Sequence, residues 1–100
     1  AYLIVRAEIS EAALREPFDR WYREEHLPDA HRAFKANAAW RGWSSVDPKV
    51  HYAFYEFDDL DRVKAITGSA EIEALIAEFD RTWEGRVTRT RDVVEQLQSI

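Results

Sequence analysis

The sequence predicts an α+β domain in which helices cover one face of a four-stranded antiparallel sheet. Stretches of alternating β-branched, aromatic and polar residues occur at 2–9 and 50–57, as in strands that bury one face. Each is followed by a segment with apolar residues at helical spacing. A chain of 100 residues has the size of one domain, so residues 1–100 are expected to form a single unit.

The first half of the chain predicts a strand and a helix. Residues 2–9, YLIVRAEI, alternate as a strand does. A helix is expected to begin near Pro17, because the first helical turn tolerates proline. The spacing of Phe18, Trp21, Tyr22 and Glu25 predicts that they share one helix face, with the apolar rings turned inward. Since Pro28 has no N–H, we expect a break or bend near Leu27, with a shorter helix continuing to about Lys35.

The second half predicts a hairpin, a helical region and a last strand. Residues 39–46 and 50–57 are expected to pair, and Asp58 to cap a short helix. Ser69 is expected to cap the next helix. The inward face of that helix is predicted to be Ile72, Leu75, Ile76, Phe79 and Trp83. With a strand at 88–97, the order is βαββαβ, the ferredoxin-like arrangement, which leaves one sheet face open.

Composition argues against several classes of function. The chain has no cysteine, so disulfides, thiol catalysis and thiolate metal sites are excluded. A net charge of −5 argues against binding driven by phosphates, and the basic stretch 81–91 is interpreted as a solvated face. The apolar run at the start is too short for a signal peptide or a membrane span. We expect a cytoplasmic domain that uses no metal or cofactor and binds neither nucleic acid nor membrane.

The open face of the predicted sheet is unusually aromatic. Alternation along the first and third strands places there Tyr2, Ile4, Arg6, Glu8, Tyr52, Phe54 and Glu56. An exposed apolar patch of several hundred Å² usually marks an interaction site. Either a second sheet or stacked nucleic-acid bases would cover this patch.

The nucleic-acid alternative depends on the third strand. Its sequence, HYAFYEF, resembles the aromatic motif of RNA-recognition domains, in which rings at the positions of Tyr52 and Phe54 stack on bases. However, Val50 stands where that motif has Lys or Arg, and His51 stands where it has Gly. Together with the negative net charge, these differences make RNA binding the less favoured alternative.

A second resemblance covers more of the chain. The segment FDRWYREEHLPDAHRAF, followed by HYAFYEF, resembles the EthD-like dimeric α+β barrel proteins. The positions that carry it are Trp21, Tyr22, Glu25, His26, Pro28, Tyr55, Glu56 and Phe57. The resemblance implies a homodimer whose open faces close into a barrel that holds a small organic ligand. The superfamily includes cofactor-free monooxygenases, polyketide cyclases, isomerases and haem-degrading enzymes, and the fold does not choose among them.

Two residues are candidates for acid–base catalysis. His26 can exchange a proton near neutral pH, and Tyr22, four residues earlier, could hydrogen-bond it. The competing role for His26 is to cap free carbonyls at the end of the helix. Tyr52 offers a phenolic donor that could stabilise negative charge in a reaction, or it packs in the dimer interface.

The candidates for ligand binding are Arg6, Tyr22, Trp43, His51 and Phe54. Arg6 could hold a carboxylate or phenolate of a ligand, or it could pair with acidic residues on the same face. Trp43 and His51 are expected at the rim of the barrel. For Tyr22, the favoured alternative is that it packs the first helix on the sheet. The expected function is binding of a small, partly aromatic molecule with acid–base chemistry. The alternative is a non-catalytic ligand-binding or stress-associated domain.

Overall fold

A computed structural model describes residues 1–100 as one layer of helices on one antiparallel sheet. The strands are β1 (Tyr2–Ile9), β2 (Ala38–Trp43), β3 (Val50–Glu56) and β4 (Val87–Val94). The helices are α1 (Arg15–Trp21), α2 (Leu27–Phe34), α3 (Leu60–Ile66) and α4 (Ala70–Trp83). The sheet order is β2-β3-β1-β4, and all neighbouring strands are antiparallel. The predicted ferredoxin-like α+β fold is confirmed.

The helix before Pro28 does not break. A π-helical segment, Tyr22–His26, joins α1 to α2 without interruption, and the N–H of Leu27 donates to the carbonyl of Tyr22, five residues earlier. A proline ring normally clashes with the carbonyl four residues before it, here that of Glu24. The wider π turn makes room for the ring, so the chain stays helical where a break or bend was expected.

The π segment also changes which residues face the sheet. The buried positions recur every fourth residue, as Phe18, Tyr22, His26, Ala30 and Phe34. In a uniform α-helix, each residue of such a series would lie about 40° further around the helix axis than the one before it. The wider π turn compensates for part of this displacement. As a result, Glu25 is exposed and His26 is buried. The prediction that Glu25 shares one helix face with Phe18 and Tyr22 is wrong.

Several boundaries differ from the sequence-based expectations. Asp59, not Asp58, caps α3 by accepting from the N–H of Arg62 at 2.9 Å. Asp58 instead accepts from the side chain of Asn37 at 2.7 Å. The predicted cap of α4 is confirmed, since Ser69 accepts from the N–H of Ile72. The second strand ends at Trp43 and the last at Val94, both three residues earlier than predicted.

The two faces of the sheet differ in burial, as the alternation predicted. The face toward the helices buries Leu3, Val5, Ala7 and Ile9 of β1, together with Ala53, Tyr55 and Phe57. The opposite face, hereafter the open face, carries Trp40, Tyr52 and Phe54, and Trp40 is 51% exposed. No helix is both long enough and apolar enough to cross a lipid bilayer.

Candidate functional site

A small cavity lies between the sheet, α2 and α4. Its volume is about 30 Å³, which corresponds to roughly one water molecule. The apolar wall is formed by Leu3, Val5, Phe34, Ile72, Leu75 and Ile76. The polar part is formed by His26, Tyr55, Arg89 and Arg91. An apolar cavity with a few convergent polar groups is the usual form of a small-molecule site.

His26 is held in this cavity by aromatic rings. Its imidazole stacks on Trp21, with ring centroids 4.6 Å apart and planes 19° apart. Tyr22 and Phe79 contact it edge-on at 4.9 and 5.6 Å. The buried Nδ1 has no hydrogen-bond partner, so His26 neither caps helix carbonyls nor bonds Tyr22 through this atom.

Burial sets the charge of His26. Loss of solvent, together with the nearby positive charge of Arg89, lowers the pKa of His26 to about 4. The ring is therefore neutral near pH 7, and it combines one N–H donor with one acceptor nitrogen. Such a group can exchange a proton or a hydrogen bond with a molecule in the cavity.

Tyr55 is a cavity residue that the sequence analysis did not propose for the site. Tyr55 and Tyr22 are each 1% exposed. Burial raises the pKa of Tyr22 to about 12 and raises that of Tyr55 well above its usual value, and the neighbouring Tyr22 hydroxyl adds to the latter shift. Both phenols thus remain protonated donors. Two signals could have indicated Tyr55, namely its inward alternation and its place in the segment that resembles the EthD-like proteins.

Arg89 is a second residue that was missed. It lies in the basic stretch that was interpreted as solvated, yet its side chain is only 15% exposed. Its guanidinium lies 4.2 Å from the ring centre of Phe79 and donates to Asp80 at 3.1 Å. Burial lowers the pKa of Arg89, and Asp80 opposes that shift, but a guanidinium stays charged in proteins. The interpretation of the stretch 81–91 as a solvated face is therefore wrong for Arg89, because β4 packs this side chain under α4.

Trp43 and His51 form a separate cluster within the helix-facing core. The carboxylate of Asp19 accepts from Arg41 and from the Trp43 indole, both at 2.8 Å. Arg41 in turn donates to His51 Nε2 at 3.3 Å. His51 is fully buried, and burial followed by Arg41 lowers its pKa to about 3. Neither ring lies on the open face, so their expected place at the barrel rim is wrong.

Arg6, Tyr52 and Phe54 lie on the open face, as alternation predicted. Arg6 donates to Glu8 at 3.4 Å, and the neighbouring Tyr52 hydroxyl raises the pKa of Arg6. The sheet separates these side chains from His26. One small molecule in a protomer cannot contact both sets, which corrects the expected pairing of His26 with Tyr52 or Arg6. No group of three or more His, Asp or Glu side chains is placed to hold a metal ion.

Solved structures with the same arrangement come from several families. An EthD family protein from Bacillus halodurans aligns with a TM-score of 0.67 at 12% identity, covering 94% of this chain and 99% of that one. A putative antibiotic biosynthesis monooxygenase from Deinococcus radiodurans aligns at 0.64 with 7% identity, covering 100% and 98%. The chain has the ferredoxin-like fold of the dimeric α+β barrel proteins. A NIPSNAP domain protein from Burkholderia xenovorans aligns at 0.57 with 12% identity over 100% of both chains.

The resemblance to α+β barrel proteins is thus confirmed at the level of the fold. No protein-family model and no curated protein matches the sequence. At sequence identities this low, structural similarity establishes only the arrangement of strands and helices. The chemistry must be argued from the cavity itself.

Proposed function

We propose that this α+β barrel domain binds a small, partly aromatic organic molecule in the cavity between helices and sheet. His26 exchanges a proton with that molecule, in chemistry that needs no cofactor. One observation supports this most directly: the buried Nδ1 of His26 has no partner and its ring lines an apolar cavity beside Tyr55. A buried polar atom without a protein partner is uncommon and needs an explanation; His51 Nδ1 and Trp83 Nε1 are also unpartnered, but of these three residues only His26 lines the cavity.

The protonation states of His26 and Tyr55 determine their proposed roles in the cavity. Neutral His26 accepts a proton from the ligand, and stacking on Trp21 holds the imidazole plane in place. Tyr55 stays protonated, so it donates a hydrogen bond to an oxygen that gains negative charge. Tyr55 therefore takes the stabilising role that the sequence suggested for Tyr52.

The size of the cavity implies that its walls move when a ligand binds. A volume of about 30 Å³ is too small for an aromatic ring, since a cavity that binds benzene has about 150 Å³. The wall residues that contact solvent are Ile76 on α4 and, on the edge strand β4, the partly exposed Arg89 and the exposed Arg91. A ligand therefore reaches the cavity between α4 and β4, where shifts of side chains suffice to enlarge it.

The proposal includes a homodimer whose open faces pack together. Trp40 and Phe54 stack at 3.8 Å with planes 12° apart, and Phe54 pairs across the sheet with Ile4. This apolar row spans three neighbouring strands. A continuous apolar patch of this kind favours association with a second copy.

A matched pair of histidine variants tests the cavity. Titration of the wild type with phenol, followed by NMR, is expected to shift the signals of the His26 ring and the Trp21 indole. The variant His26→Gln is expected to bind about tenfold more weakly, because the flexible amide reproduces neither the positions of the ring nitrogens nor the stacking on Trp21. The control His31→Gln changes an exposed histidine of α2 and leaves binding unchanged. Equal binding by all three proteins would contradict the proposal.

A non-catalytic binding role is the second candidate. It is favoured because no carboxylate orients His26, and a base with a pKa of about 4 is weak at neutral pH. Exchange of the acidic C–H protons of acetylacetone with deuterated water distinguishes the two. Acceleration by the wild type, but not by His26→Gln, supports catalysis; no acceleration by either protein supports binding alone.

A further inference from the structure

All charged side chains that line the cavity are positive. The charged residues that line it are Arg89 and Arg91, and no carboxylate does so. The chain as a whole carries a net charge of −5, so this positive wall is a local exception. A largely buried cation such as Arg89 needs a counter-charge to offset the cost of its desolvation.

The partner that Arg89 has in this structure is weakly held. Arg89 on β4 donates to Asp80 on α4 at 3.1 Å, and the Asp80 side chain is 58% exposed. Ion pairs with exposed carboxylates contribute little to stability. This pair also links the two elements between which a ligand reaches the cavity. An acid group inside the cavity, shielded from solvent, would bind the same guanidinium more strongly.

We propose that the molecule bound by this domain is an anion, and that Arg89 binds its carboxylate or phenolate oxygen in exchange for Asp80. The apolar part of the molecule then lies against Phe34, Leu75 and Ile76, with His26 and Tyr55 facing its reactive part. Arg89 is a binding residue that also releases α4 from β4 when the ligand arrives. This inference rests on the proposed function, because it names the class of ligand for the same cavity.

Two pairs of probes, each an anion and a neutral molecule of similar shape, test the charge requirement. Benzoate is compared with benzamide, and 4-nitrophenolate with 4-nitroanisole, each by NMR titration that follows the Arg89 Nε–H, the His26 ring and the Trp21 indole. Each anion is expected to bind at least about tenfold more tightly than its neutral counterpart, because a charge-assisted hydrogen bond is added. The two anions show whether a carboxylate or a phenolate is preferred.

Variants separate recognition by Arg89 from a general charge effect. Arg89→Gln is expected to reduce binding of the anions about tenfold and to leave that of benzamide unchanged. The control Arg81→Gln removes an exposed arginine of α4 and should change neither the affinity for the anions nor that for benzamide. Asp80→Asn is expected to tighten anion binding by about two- to fivefold, since the competing carboxylate is removed. The control Glu73→Gln removes an exposed carboxylate from the same helix and has no such effect.

The outcomes distinguish this inference from the proposed function. If anions and neutral probes bind at the cavity equally well, and Arg89→Gln does not change their affinities, anion selection by Arg89 is wrong while cavity binding stands. If the neutral probes bind and the anions are rejected, the inference is likewise wrong. If no probe shifts the His26, Trp21 or Arg89 signals, both the inference and the proposed binding function are wrong.

Discussion

The two faces of the sheet carry similar residue types in opposite environments. On the helix-facing side, Phe18 is fully buried and has six aromatic rings within 6.2 Å of its own. On the open face, Phe54 stacks on Trp40, which is half exposed. The first set forms a packed interior, and the second forms a row of partly exposed rings on the open face.

The arginines of the two faces differ in the same way. Arg41 beside the core is 17% exposed and bonds Asp19 at 2.8 Å. Arg6 on the open face is 43% exposed and meets Glu8 at 3.4 Å. The comparison shows that residue type does not set the role of a side chain in this sheet; the layer above it does. Four measurements test that difference, beginning with the largest expected effect.

Truncation of matched rings is expected to give the largest contrast. Phe18→Ala should lower the free energy of unfolding by about 3–5 kcal/mol, because it leaves a cavity among packed rings. Phe54→Ala should cost less than about 2 kcal/mol in the protomer, because its ring keeps contact with solvent. Urea unfolding at one low protein concentration measures both. Equal losses would show that the open face is as well packed as the core.

A charge on the open face is expected to weaken the proposed self-association strongly. Phe54→Glu should weaken the proposed dimer at least about thirtyfold, as expected for a residue at the centre of an interface. The control Val46→Glu adds the same charge at a residue that is 92% exposed in the β2–β3 turn and should leave assembly unchanged. Sedimentation velocity over a range of concentrations reports both. A wild type that stays monomeric at every concentration would refute the dimer.

The pH dependence of stability is expected to come from the helix-facing side, where both buried histidines lie. His26 has a pKa of about 4 in the folded chain, below its ordinary value of 6.5. The unfolded state therefore binds more protons between these values, and the stability that is present above pH 6.5 is lost as the pH falls toward 4. The slope for each such histidine approaches about 1.4 kcal/mol per pH unit.

His26→Gln tests this dependence. Urea unfolding across the same pH range should show a shallower slope for this variant than for the wild type, with His51 accounting for a remaining part. The open-face variant Phe54→Ala should keep the wild-type slope. An unchanged slope in His26→Gln would show that this ring is not held neutral in the folded chain.

The smallest expected contrast lies between the two ion pairs. Asp19→Asn should lower the free energy of unfolding by about 1 kcal/mol, because Arg41 and the Trp43 indole lose a charged acceptor. Glu8→Gln should change it by less than about 0.5 kcal/mol, since both members of its pair are over 40% exposed. Thermal unfolding of the two variants gives the comparison, and a larger loss in Glu8→Gln would reverse the assignment of the two environments.

The sequence predicted the elements because their patterns are local. Alternation in β1 and β3 separated the buried and open faces correctly, and the spacing in α4 identified its inward residues. The π turn before Pro28 was not predicted, because residues four apart fit a helical face almost as well as residues three apart. Its effect on His26 and Glu25 depends on a backbone hydrogen bond that the sequence does not display.

The residues that line the candidate cavity were predicted in part. His26 and Tyr22 were identified and lie at or beside the cavity, whereas Tyr55 and Arg89 were not proposed. Arg89 was missed because β4 is polar on both faces, so alternation could not show which of its side chains turns inward. His51 was expected at the barrel rim, although alternation from its neighbour Tyr52 places it on the helix-facing side, where it is buried.

By itself, the sequence determined the order of elements, the apolar face of each helix and the aromatic character of the uncovered strands, since each depends on residues close together along the chain. The tertiary structure decided which polar groups share the cavity and how they ionise. Packing brings His26, Tyr55 and Arg89 together from distant segments and removes them from water. Desolvation and long-range contact are the physical causes of those properties, and neither is contained in a local pattern.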